Sequence, residues 1–108
     1  MEIVLGEVIA ERELDLVVDG NISGTVVVRI GKPIRSPDPE LDWLCPLQII
    51  GLQDEMVRAA FGIDAVQALI LAMQMIHIEL QARQRLTGQT LQWLEQSDLG
   101  FLPLPGRG

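Results

Sequence analysis

Cys45 and His77 are the sequence's only thiol and only imidazole. A thiolate–imidazole pair is the simplest nucleophilic machinery such a chain could hold. A reactive Cys45 would need a helix N-terminus or a nearby cation to lower its pKa. The local pattern points elsewhere. In "LDWLCPLQIIGL", residues 41–52, Trp43, Cys45, Leu47 and Ile49 share one face at the two-residue spacing of a strand. A free cysteine among such neighbours packs as a small hydrophobe. His77 borders an apolar helical stripe and reads as a hydrogen-bonded residue at the edge of the core. No catalytic residue is assigned.

One cysteine and one histidine fall short of the four ligands of a structural zinc site. Asp38, Glu40 and Asp42 alternate as calcium ligands do, but no glycine turn and no bidentate glutamate follow at the right distance. Dinucleotide, phosphate-loop, nucleophile-elbow and zincin motifs are absent from the sequence. The sequence therefore predicts no metal, no cofactor and no enzyme activity. A third class of reading, a small enzyme using Cys45 or the loop carboxylates, would require a deep polar pocket around Cys45 and His77.

The elements that would hold these residues follow from periodicity. "ERELDLVV", residues 11–18, alternates Leu14, Leu16 and Val18 against Glu11, Glu13 and Asp15, the pattern of a half-buried antiparallel strand. "DGNISG", residues 19–24, is turn chemistry. "TVVVRI", residues 25–30, completes a hairpin. Gly6 marks a bulge or bend, and Gly20, Gly24 and Gly31 read as turn glycines. Arg12 falls on the inward face of the first strand, where it must pair with an acid or sit past a bulge. "GKPIRSPDPE", residues 31–40, carries three prolines and reads as a loop. Residues 41–52 form a third strand, and residues 55–61 suit a short fourth one.

A helix is predicted over 64–86. Asp64 and Gln67 form the capping box "DAVQ" after the breaker Gly62, Ile63 staples onto Ala68 or its neighbours, and Gly88 ends the helix. At 100° per residue, Val66, Leu69, Ile70, Met73, Ile76 and Leu80 fall on one stripe, read as the core face. Ala68, Leu71, Ala72, Met75 and Ala82 form a second apolar face. Either the C-terminal segment covers it, with Leu91, Trp93, Leu94, Phe101 and Leu102, or a second copy of the chain does. Ala68, Leu71, Ala72 and Met75 are the predicted interface of a homodimer.

The fold class expected is one α+β domain of residues 1–108. Its strands lie within 3–52, with one long helix across an antiparallel sheet of three or four strands and a partly ordered tail over 89–108. "DWLCPLQIIG" at 42–51 and "GIDAVQALILAM" at 62–73 resemble a small bacterial family of uncharacterised domains, with a tryptophan–cysteine strand and a G-[VI]-D-x-x-Q-A-L helix start. The resemblance runs over roughly residues 11–94. Its most specific part is Gly62, Asp64, Gln67, Ala68 and Leu69. It implies the fold and carries no activity or catalytic residue.

The net charge is −7, and residues 1–55 carry all of it, with eleven acids against four bases. Nucleic-acid binding needs a basic patch, so no nucleic-acid partner is expected. A single cysteine and the lack of a signal-peptide pattern point to the cytoplasm. No uninterrupted apolar run reaches the roughly 18 residues of a membrane span, so no membrane partner is expected. The role these features favour is a non-enzymatic protein-binding or self-associating domain. The alternative is an acidic immunity-type inhibitor of a basic toxin partner, motivated by the lopsided charge.

Overall fold

A computed structural model describes residues 2–101. Seven elements follow in order: β1 (Val8–Val18), β2 (Asn21–Gly31), β3 (Ile34–Arg35), β4 (Trp43–Ile50), β5 (Arg58–Gly62), α1 (Ala65–Thr87) and β6 (Thr90–Gln92). Among the described residues the architecture is α+β with six antiparallel strands rather than three or four. The two unforeseen strands are short. β3 lies inside the proline-rich stretch 31–40, and β6 lies in the expected tail.

The sheet runs β3-β4-β2-β1-β6, and β5 pairs with β4. β3 continues β2 along one edge of β4 after an irregular step. Between the pairs Ile30↔Leu47 and Ile34↔Leu44, β2–β3 advances four residues while β4 advances three. Pro46 stands opposite this step. It has no N–H to offer a regular ladder, which suits a bulge.

The β1–β2 hairpin is tighter than "DGNISG" suggests. Val18 pairs with Asn21, so Asp19 and Gly20 alone form the turn. Both have positive φ, 51° and 79°, as the two central residues of a type I′ turn require. Asn21 to Gly24 belong to β2, and the Leu16–Val17 register shift absorbs an extra residue there. Gly31 is not a turn glycine either. A side chain there would run into the backbone carbonyl of Leu5, because the N-terminal segment crosses over it.

The helix is capped as expected at both ends. Asp64 Oδ1 accepts from the Gln67 N–H at 2.8 Å, and Gln67 Oε1 accepts from the Ile63 N–H at 2.8 Å. Gly88 closes the C-terminus at φ 72°, donating to Gln84 O. The hydrophobic staple is not made: Ile63 is 72% exposed. Gly62 takes its place as the contact, since a Cβ there would sit 2.5 Å from the Ala68 nitrogen. The end of β5 is thus pressed directly on the first turn of α1.

The face α1 lays on the sheet lies between the two predicted stripes. Ala68, Ala72, Ile76 and Leu80 are its buried residues. Val66 and Ile70, expected in the core, are 64% and 41% exposed. The physical reason is size. At the centre of a helix–sheet contact, alanine lets the backbones approach, and larger side chains such as Leu69, Met73 and Met75 fill the flanks. The bulky residues thus mark the flanks of this contact and the alanines its centre.

The remaining inner face of the sheet is covered by the tail. Leu91, Leu99 and Phe101 join Leu14, Val26, Val28, Leu47 and Ile49 in one buried cluster. Leu94, expected to cover the helix, is exposed; Leu102 lies outside the described residues. The described tail therefore lies on the sheet beside α1, with Phe101 close to Met73, and not on the helix's outward side.

Candidate functional site

Cys45 lies on β4 among the core residues and is fully buried. Its Sγ faces the carbonyl oxygens of Gly31, at 3.5 Å, and Pro46, at 4.0 Å. Burial pushes the thiol up to about 11. A nucleophile for neutral pH needs the opposite shift. His77 sits half-buried on α1, and Cys45's contacts run to backbone oxygens instead. Among the described residues no group of three or more His, Cys, Asp or Glu is placed to hold a metal ion.

The four predicted interface residues separate into two pairs. Ala68 and Ala72 are 0% exposed, in the contact between α1 and the sheet. They are not available to a second copy, which corrects that part of the interface. Close approach is what these alanines allow, but the chain's own sheet uses it. Leu71 and Met75 lie on the flank of α1, where Leu71 is 36% exposed. They line a shallow groove of about 390 Å³ with Ala59, Phe61, Gln74 and Ile78. The groove runs between α1 and β5. Among the described residues β5 pairs with β4 alone, leaving its other edge open.

A second concavity, of about 330 Å³, opens between the β4–β5 connection and the C-terminal half of α1. Sequence reasoning passed over it. Arg58 Nη2 donates to Asp54 Oδ2 at 2.6 Å. Arg83 Nη1 donates to Asp54 O at 2.8 Å, and its Nε and Nη2 reach Glu79 Oε1 at 3.3 Å. The Asp54 carboxyl is held below its usual range, first by the Met56 N–H and then by Arg58. Most of these donors are already paired inside the protein, so the network reads as a brace that ties the 53–56 loop to α1. The four-residue spacing of Glu79 and Arg83 on the helix was its one signal in the sequence.

Among the described residues Arg12 pairs with no acid. Its guanidinium lies 3.7 Å from the centroid of the Trp93 ring and 5.1 Å from that of Phe101. Nη1 donates to Leu99 O at 2.9 Å. The cation on the inward face of β1 is the peg on which the tail hangs. Gly100, at φ 78°, is required there: a Cβ would meet the Arg12 guanidinium and the Trp93 ring.

The molecule is thus a small antiparallel α+β domain whose accessible features are an open sheet edge and an apolar helix flank. The chain belongs to the DUF6968 family, a domain of unknown function whose family model matches residues 10–103. No curated protein and no solved structure matches it. The family itself indicates no specific function.

Proposed function

We propose that this domain acts by protein contact, without catalysis, and that it associates with itself. The observation that carries this reading is the flank of α1 beside β5. There Leu71 and Ile78, 36% and 56% exposed, run together with half-buried Met75, while Val66 and Ile70 lie beyond the stripe of Gln67 and Gln74. Surface leucines scattered singly need no explanation, but contiguous patches mark contact sites. By length and composition alone α1 would suffice to cross a membrane, so the interrupted apolar run is not an argument against a span. Its buried alanine stripe, seated on the sheet, favours a packing helix instead.

The test is Leu71→Glu. A charge in a closed contact is buried without a partner, so the variant is expected to sediment as a monomer. Ser23→Glu, at the exposed far end of the β1–β2 hairpin, is expected to leave association unchanged. Equal behaviour of both variants would refute the reading.

A second reading, inhibition of a basic toxin-like partner, has one observation in its favour. Glu11, Glu13 and Asp15 line the sheet face turned away from α1, and Arg29 offsets Glu11 alone at 2.7 Å. It requires a basic protein that copurifies with the wild type and is lost on Glu13→Lys.

A further inference from the structure

We propose that the second copy joins at β5, which pairs antiparallel with β5 of its twin and extends the two sheets into one. This rests on the self-association proposed above and says where it takes place.

The two edges of the sheet are treated differently. The β1 edge is irregular and charged along its open part, with a register shift between Val8 and Ala10 and with Glu11 and Glu13 on it. β6 covers only Asp15 to Val17 of it, and the chain then turns sharply at Trp93–Gln96, with Leu94 and Glu95 at positive φ. Residues 99–101 return beside Arg12 and are held there. The β5 edge is short, but it lacks the other devices that keep strands from pairing with strangers. Arg58–Ala59–Ala60–Phe61–Gly62 contains no proline and no lysine, and its register with β4 runs without a bulge. Its one charge, on Arg58, is drawn back to Asp54.

Charge selects the occupant. A two-fold contact sets each surface against itself, so a strongly acidic surface would repel its copy. The chain carries −7 overall, yet the β5 groove has Glu79 as its single charged lining residue among those described, and Arg83 pairs with it at 3.3 Å. This is a neutral place on an acidic protein. The backbone is self-complementary as well, because an antiparallel ladder reads the same from either strand. Five residues of strand make a small contact alone. The overhanging flank of α1, with Leu71, Met75 and Ile78, supplies apolar area above the seam.

The experiment combines hydrogen exchange with cross-linking. In the wild-type dimer, amides on both edges of β5 are expected to exchange slowly. In the Leu71→Glu monomer, the amides turned away from β4 are expected to exchange fast while those facing β4 stay protected. Under mild oxidation Ala59→Cys is expected to form a covalent dimer, and Ile70→Cys, on the outward top of the helix, is not; the buried Cys45 stays silent in both. A wild-type dimer in which the outer β5 amides exchange as fast as in the monomer, or in which Ile70→Cys cross-links and Ala59→Cys does not, overturns the edge pairing and leaves self-association standing. A wild type that is monomeric overturns both.

Discussion

Arg12→Ala is expected to destabilise the fold by about 3 kcal/mol. The figure follows from three contacts. A guanidinium over a tryptophan face at 3.7 Å, half-buried, contributes about 1 kcal/mol, and the more distant Phe101 ring about 0.5 kcal/mol. The charged hydrogen bond to Leu99 O at 2.9 Å contributes about 1.5 kcal/mol. With a urea m-value of about 1.5 kcal/mol/M, the unfolding midpoint falls by about 2 M. Arg12→Lys keeps the charge but loses the planar group that stacks on Trp93, so about half the loss is expected. Arg29→Ala is the control. Its ion pair with Glu11 is exposed on both sides and such pairs contribute below about 1 kcal/mol. Urea denaturation followed by tryptophan fluorescence reads all three. If Arg12→Ala shifts the midpoint no further than Arg29→Ala, Arg12 does not hold the tail, and the account of residues 93–101 fails.

Asp64→Ala removes the acceptor of the Gln67 N–H and is expected to cost about 1 kcal/mol in chemical denaturation. Gly62→Ala places a methyl 2.5 Å from the Ala68 nitrogen; the strand and helix must separate, and a loss of about 3 kcal/mol in the same assay is expected. The thiol of Cys45 should label slowly in the native protein and promptly after denaturation, and fast labelling of the folded chain would restore it as a nucleophile. Its raised pKa also sets a pH dependence. The unfolded thiol ionises from its ordinary value of 9.0, while the folded one holds its proton up to about 11. Stability is therefore unaffected below pH 9 and falls above it, by up to about 1.4 kcal/mol per pH unit. Denaturation midpoints of the wild type at rising pH should show this slope, and those of Cys45→Ala should lack it.

The hairpin, the central strand and the helix with both caps were legible because each is written locally. Alternation marks β1 and β4, "DGNISG" places the turn though it overstates its length, and Asp64 and Gly88 bound the helix. What was not legible depends on partners distant in sequence. β3 and β6 are too short to carry a periodic signal and exist because β4 and β1 offer them an edge. The contact face of α1 was misplaced because apolar residues surround most of the helix. Which of them touch the sheet is decided by how closely the backbones approach at Ala68 and Ala72. Arg12 is expected from the sequence to need an acid or a bulge, and Trp93 and Leu99, some eighty residues on, supply a ring and a carbonyl instead. Of the predicted interface, Leu71 and Met75 lie at an accessible groove, and that groove became visible only with β5 beside them.

Self-association is the central claim, and the mass of the wild-type protein in solution tests it most directly. Sedimentation equilibrium over a dilution series down from tens of micromolar is expected to give twice the chain mass of 11.9 kDa, falling towards a single chain on dilution. A mass of 11.9 kDa throughout the series would contradict the account.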